Sequence, residues 1–573
     1  MIRVPTDHKS LVPFANELIE QCRVSVGLRA SYCRLLNAIA ETGRYDGTKA
    51  LINTLNVHLQ RLASHIFSPV ELKFSVDYER EYPENQLERA KVVGKILTRS
   101  WERTNTDKTF AIGVFQGLKY GACLLKQWPQ VEGKDQHPTY HKKLVQPWQF
   151  GVYNEAENEL SNQEAMVETV TLTLPEIWRR IYHLPKADKL YDRIRSHAMR
   201  GQAMSDPQSY FHQVLSTSQL QTGVNSNTRP LPGGIVQLNN DPNYAIMGPQ
   251  VSADVVNVHE LWVKGEEDYV TIIMVEPDII IAPFGRHMNI LGVEHRHPYT
   301  LIQPNEVSNW FWGRSELVDL IEPQGLLATW CDDARRLFGL QVDKILAFMS
   351  DDGITDEQYG QMRNAGYMKL GPNSKVQDLT PGIPSEMMPM IKFLLDTINW
   401  LGGFSELMQG RGESGVRAGV HADTLLKTGS ATQRDQALTV ERQAAMAADL
   451  SLELKEAKDS SNYWTKGDTL QAIDATSFKL MDLPADWRVS VDSHSSSPIF
   501  SDENMQLIIT SFKLGIVTAD YVIDNLPFPN KEEAKLGIRK QNEAKQAMLQ
   551  KLLQEHPELG EALAKKQLTG GKR

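Results

Sequence analysis

The stretch Ser315–Ser350, SELVDLIEPQGLLATWCDDARRLFGLQVDKILAFMS, sets the architecture of the chain. It supplies Leu317, Leu320, Ile321, Leu326, Leu327, Trp330, Leu337, Phe338, Leu340, Ile345, Leu346 and Phe348. Apolar residues at this spacing predict helix. Pro323 has no N–H and crowds the preceding turn. The expectation is therefore a short helix, a kink at Glu322–Pro323, and one long helix to about Met349. Asp333, Arg336, Asp343 and Lys344 recur at positions that cannot all face an apolar side, so some of them must meet solvent.

Downstream, Asp351–Pro384 is broken by Gly353, Gly360, Gly366, Gly371, Pro372, Pro381 and Gly382. It contains two strand-like pieces, Tyr367–Leu370 and Lys375–Leu379, which could pair between neighbouring copies of the chain. Helix resumes over Ser385–Gln409. A glycine-rich loop, GRGESGVRAG, follows, and then a second long helix from about His421 to Asp459. That helix places Leu438, Ala445 and Leu452 at heptad spacing beside Ala444, Ala447 and Ala448, which permits close approach of a neighbour. Both long helices exceed the mean globular length of about 11–12 residues. Trp487–Val491 reads as a strand, and Asp502–Leu514 and Lys531–Leu553 as helices.

Upstream, Leu11–Ala40, Tyr45–Ile66 and Asn85–Thr104 carry helical spacing, interrupted by the strand-like Glu71–Tyr78. From about Gly121 to Ile302 the texture is β, with short β-branched runs at Glu168–Leu174, Val255–Val263, Tyr269–Val275 and Ile279–Ala282. The polar run within 202–240 reads as an insertion. The fold class is α+β.

With 61 Lys and Arg against 71 Asp and Glu in 573 residues, the net charge is −10. A protein that wraps DNA by neutralising phosphates carries a surplus of cations instead. A wall along which DNA slides is served by net negative charge with a few local cations. Cys22, Cys33, Cys123 and Cys331 lie far apart with no CxxC pair, so reduced thiols are expected, with no zinc site. The opening residues lack the apolar core of a signal peptide, so export is not expected. Tyr269–Phe284 is too short and too charged to span a bilayer.

Positive signs of catalysis are missing. Gly410, Gly412 and Gly415 form a GxGxxG, but it follows a helix rather than a strand, which is the wrong context for a dinucleotide. There is no GxxxxGK[ST], no GxSxG elbow and no nucleophilic cysteine context. His295 and His297 lack further ligands for a metal. Asp332–Asp333 and Asp351–Asp352 are sequence neighbours that point apart on a helix. No catalytic residue, cofactor or metal is expected.

Three local words, in order, resemble the portal proteins of tailed double-stranded DNA bacteriophages. WFWGRSEL (Trp310–Leu317) followed by VDLIEPQ looks like the entry to a first stem helix, with WFW where the family has a simpler Tyr-Gly-Arg. GESGVRAGVHAD (Gly412–Asp423) resembles a tunnel loop. SSSPIFSDENMQLIITSFKL (Ser495–Leu514) resembles the stretch after the wing. The similarity is strongest over Val255–Asn530.

The resemblance implies a ring-forming portal fold, with a wing over 1–312, a descending stem over 313–350 and a clip over 351–384. An ascending stem follows over 385–409, then a tunnel loop over 410–423. The long helix and the rest of the wing occupy 424–500, and a crown-like helical region 501–573. It implies a homo-oligomer, a dodecamer, at one capsid vertex of the virion, assembled in the host cytoplasm, through which the genome is packaged and ejected. The implied partners are double-stranded DNA, the terminase large subunit, head-completion and tail proteins, and the major capsid and scaffolding proteins, with no membrane. Arg411, Arg417 and His421 would be the DNA-contacting residues of the loop, and Arg336, Asp343 and Lys344 the charges of the stem channel. The alternatives are another virion protein, helical and tail-internal or scaffold-like, or an enzyme. The β body argues against a scaffold, and the missing nucleophile and carboxylate cluster against an enzyme.

Overall fold

The computed structural model describes residues 2–203, 251–281, 291–342, 346–349, 375–403, 431–459, 462–464, 477–491 and 501–525, with isolated exceptions and without 131–138. The chain mixes helix and sheet as an α+β fold. Helices α1 (His8–Arg23), α2 (Val26–Thr42) and α3 (Leu55–Ile66) come first, then β1 (Phe74–Tyr78), α4 (Glu84–Thr104) and α5 (Thr106–Tyr120). Strands β2 (Cys123–Gln130), β3 (Thr139–Val145), β4 (Phe150–Val152) and β5 (Ala165–Thr173) lead to α6 (Leu174–Ile181) and α7 (Ala187–His197). β6 (Met199–Ala203), β7 (Val251–Lys264), β8 (Tyr269–Val275), β9 (Ile279–Ile280) and β10 (Tyr299–Ile302) complete the β body. Then come α8 (Ile321–Val342), β11 (Leu346–Met349), β12 (Lys375–Asp378), α9 (Met387–Leu401) and α10 (Ala431–Lys458). The short strands β13 (Tyr463–Trp464), β14 (Ser477–Phe478) and β15 (Trp487–Val491) precede α11 (Ser501–Lys513) and α12 (Ala519–Asn525).

Two antiparallel sheets form the body. One runs β4-β5-β7-β8-β9, with β6 paired to β7, and the other runs β10-β2-β3. Side chains alternate across a strand, and β5 and β7 use both faces. Ala165, Val167, Leu261 and Val263 turn to α1, meeting Leu11, Leu18 and Cys22. Met166 and Trp262 turn the other way, toward Phe150, Tyr299 and Phe311. A helical core lies beside them, where α3, α4, α5, α8, α9 and α10 bury Leu59, Leu97, Phe110, Leu327, Leu394 and Ala444.

Glu168 and Glu260 sit between the two sheets. They are direct cross-strand partners, an arrangement that like charges make unfavourable. Lys126 of β2 reverses it. Its Nζ lies 2.7 Å from Glu168 Oε2 and 2.7 Å from Glu260 Oε1. Lys126 stands in register with Tyr299 on one side and Lys143 on the other. Tyr299 donates its hydroxyl to Glu168 at 2.9 Å, and Lys143 reaches Glu168 at 3.1 Å. Burial alone would push the Glu168 carboxyl up, but the charges and hydrogen bonds of Lys126 and Lys143 overturn it and hold it down at about 2.

Several expectations are corrected. Pro323 does not kink a helix: α8 begins at Ile321, so Pro323 falls in its first turn, where no backbone N–H is required. The helix is described over Ile321–Val342 and does not reach Met349. Leu346–Met349 is strand β11, paired antiparallel with Lys375–Asp378 of the same chain, so the β unit begins before residue 351. Lys375–Asp378 thus has one edge paired within its own chain. Helix does not start at Tyr45 but at Leu55, and the returning helix is described over Met387–Leu401. Two helices, α6 and α7, stand inside the region read as β. In α10 the closely packed face is Ala437, Val440, Ala444, Ala447 and Ala448, while Leu438 of the expected heptad is exposed. Tyr367–Leu370, the 202–240 insertion beyond Ala203, and most of Lys531–Leu553 lie outside the described residues.

Candidate channel elements

Helices α8 and α9 pack against each other as an antiparallel hairpin with the β11–β12 pair at the tip. The α8 leg is held to the body by polar contacts. Gln324, fully buried, accepts from Thr54 N (3.1 Å) and Oγ1 (2.7 Å) and donates to Ile52 O at 2.7 Å. Arg44 donates to Ala328 O at 2.8 Å and pairs with Asp332. Nearer the tip, Gln341 donates to Pro381 O at 2.9 Å and joins α8 to the segment that leads into α9.

The WFWGRSEL segment fixes where this hairpin starts. Phe311 and Trp312 are buried, and the Arg29 guanidinium of α2 lies 3.5 Å from the centre of the Trp312 ring. Arg29 also donates to Pro147 O (2.7 Å), Phe150 O (2.8 Å) and Glu155 Oε1 (2.6 Å), and Trp312 Nε1 donates to Glu155 at 2.8 Å. Gly313 follows with φ of 62°, and a Cβ there would lie 2.5 Å from Gln303 Nε2 and 2.7 Å from Asn305 O. Only glycine fits such a position without strain.

At the hairpin base, Glu316 accepts from Asn305 Nδ2 (2.9 Å) and Gln436 Nε2 (3.1 Å), and lies 3.8 Å from His58 Nε2. Burial pushes its carboxyl up, but these donors and His58 bring it below the ordinary carboxylate range. Gly402 lies directly over His58, since a Cβ would come within 2.2 Å of the imidazole. Helix α10 is tied to the body by Gln443 and Gln303, which exchange hydrogen bonds at 2.9 and 3.0 Å, and by Arg296, which bonds Asp449 and Glu453.

Of the sequence-selected residues, Arg336 is exposed on α8 and pairs with Asp333 at 3.5 Å. Asp343, Lys344, Arg411, Arg417 and His421 lie outside the described residues, as does the GxGxxG. His295 and His297 are not brought together: His295 is exposed with φ of 58°, while His297 stacks on Tyr299 and is pushed down to about 4 by burial. All four cysteines are free and buried. Among the described residues no three His, Cys, Asp or Glu side chains converge as metal ligands, and no helix is long and apolar enough to cross a membrane. Sequence reasoning missed Arg29, Gln324 and the Lys126 cluster. Their partners are remote in the chain, and only the register of the strands and the packing of α2 reveal them.

No protein-family model matches the chain, and no curated protein matches it.

Proposed function

We propose that the chain is a portal subunit of a tailed double-stranded DNA phage, one copy of a ring at a capsid vertex through which the genome passes. The observation that carries this reading is a second apolar seam on α9. Ile391, Leu394 and Ile398 are spent on the core. Met390, Phe393, Thr397 and Trp400 recur at i, i+3, i+7 and i+10 on another face, with Phe393 60% and Trp400 77% exposed. This is the spacing of a helix–helix seam, and a monomer leaves it facing water.

In a ring, the neighbouring copy would cover the seam, and the hairpins would stand side by side as the wall. Helices suit such a wall because each satisfies its own backbone. The order of elements supports the same reading: an α+β wing, a helical hairpin with a β tip as stem and clip, and a 28-residue helix re-entering the body. The 410–423 loop between α9 and α10 would face DNA, with Arg411, Arg417 and His421 as its contacts. On this reading the clip takes the terminase large subunit during packaging, and head-completion and tail proteins later replace it. The fold supplies no argument for turnover, and we assign the chain no enzymatic activity.

The test is Phe393→Glu with Trp400→Glu. Sedimentation of the purified wild type should give one large closed oligomer, and the double variant should fall to monomer while keeping its circular dichroism spectrum. An unchanged oligomer in the variant would refute the role of the seam.

A further inference from the structure

In a chain of net charge −10, one helix concentrates cations on its free face. Lys91, Lys95, Arg99 and Arg103 of α4 are all exposed and stand at i, i+4, i+8 and i+12. Among the described residues none of the four makes an ion pair or a side-chain hydrogen bond to another residue, whereas Arg296, Arg314, Arg336 and Arg442, also exposed, each pair with a carboxylate. Like charges four apart destabilise a helix, so folding alone gives no reason for the series. The opposite face of α4 is spent on the core through Ala90, Val93, Leu97 and Trp101. Glu88 and Glu102 are the acidic residues beside the stripe, and neither closes onto it.

The stripe ends at a polar recess. Burial lowers the ammonium pKa of Lys455 of α10, Asp459 works against it, and Arg103 is close enough to add a smaller lowering. A cavity of about 10 Å³, room for one water, is lined there by Ser100, Thr104, Tyr140, Lys142 and Lys455 among others. Tyr140 OH and His141 Nε2 are buried without a hydrogen-bond partner. The exposed cations of the stripe are what phosphate oxygens take, and the recess at its end has room for a water that Tyr140 OH and His141 Nε2 could hold.

We propose that this face of α4 is a nucleic-acid contact in its own right, taking the phosphates of double-stranded DNA without regard to base sequence. At 1.5 Å per residue, the twelve-residue span covers about 18 Å, and the stripe winds by about 40° at each step. That length spans roughly five phosphates of one strand, at 3.4 Å per nucleotide. The surface lies on the body, away from the α8–α9 hairpin, and stands whether or not the chain closes into a ring.

The test uses the full chain and a fluorescent 20-base-pair duplex, with affinity followed by anisotropy from 50 to 200 mM NaCl. Four phosphate contacts predict a slope of log affinity against log salt of about −3.6, roughly a 150-fold loss across that range. K91Q/K95Q/R99Q/R103Q should reduce the slope by about 3 to 4 and leave the thermal midpoint within a few degrees. The charge-reversed K91E/K95E/R99E/R103E should bind still more weakly. If that variant fails to fold, the glutamine variant decides alone. DNA contacts elsewhere in the chain contribute equally to wild type and variant, so the slope difference reports α4 only. Equal slopes would overturn the proposal. Binding of polyglutamate through these residues with no duplex binding would also overturn it, assigning the face to an acidic protein. Loss of the ring with the slope difference intact would count against the portal reading alone.

Discussion

Lys126→Met removes the cation that touches both Glu168 and Glu260 while keeping an unbranched side chain of similar length in the gap between the sheets. Glu168 is 1% exposed, so water cannot replace the lost partner. Lys143 at 3.1 Å and the Tyr299 hydroxyl at 2.9 Å remain, and Glu260 keeps Trp262 Nε1 at 2.9 Å. Breaking a buried pair from one side costs about 3–5 kcal/mol, and the cross-strand repulsion of the two glutamates is then unopposed by Lys126. Adding Glu168→Gln removes the more deeply buried of the two stranded charges and the cross-strand repulsion with it, so the double variant should be more stable than the single one, by about 1–2 kcal/mol, while Glu260, 16% exposed, still lacks Lys126.

The pH dependence has a defined sign. Glu168 is held down at about 2 against an ordinary 4.5, so its contribution is present above the ordinary value and fades as pH falls from there toward 2. Without Lys126, burial lifts the carboxyl, and the variant's penalty shrinks in acid. Urea unfolding followed by tryptophan fluorescence at pH 7 and pH 4 measures both. A cost below about 1 kcal/mol at pH 7, a gap that widens at pH 4, or a double variant no better than the single would refute the reasoning.

Other substitutions probe the hairpin's anchorage and the loop. Gly313→Ala should destabilise the body by at least about 1–2 kcal/mol in the same urea assay, from the left-handed backbone alone, with the approach to Gln303 and Asn305 adding to it. Arg29→Ala should cost about 3 kcal/mol by stranding Glu155 and two buried carbonyls, and Arg29→Lys should recover only part, since an ammonium cannot reproduce the fork and the stack on Trp312. Arg411→Ala with Arg417→Ala should leave rings intact and lower the retention of DNA in filled heads, measured by nuclease sensitivity; unaltered retention would make the loop a mere joint.

Periodic elements were legible in the sequence, and pairings were not. Helix α4 and strand β8 were read within a residue or two because their apolar spacing is clean over a long enough window. Leu346–Met349 was misread because a short apolar run such as ILAFM carries no period and fits helix or strand equally. What makes it a strand is Lys375–Asp378, about thirty residues away. Helix α6 was overlooked inside a β texture, although Thr173 and Glu176 form a capping box around Pro175. The exposed seam of α9 could be found only after the structure showed which apolar residues the core had already used. Glu168 and Glu260 illustrate the limit most plainly: each is an ordinary glutamate until the register of β5 and β7 sets them opposite each other.

The central claim is that copies of this chain close around a channel, and negative-stain electron microscopy of the purified protein tests it most directly. The account predicts rings of uniform diameter with a central hole. Monodisperse monomers at every concentration would contradict it.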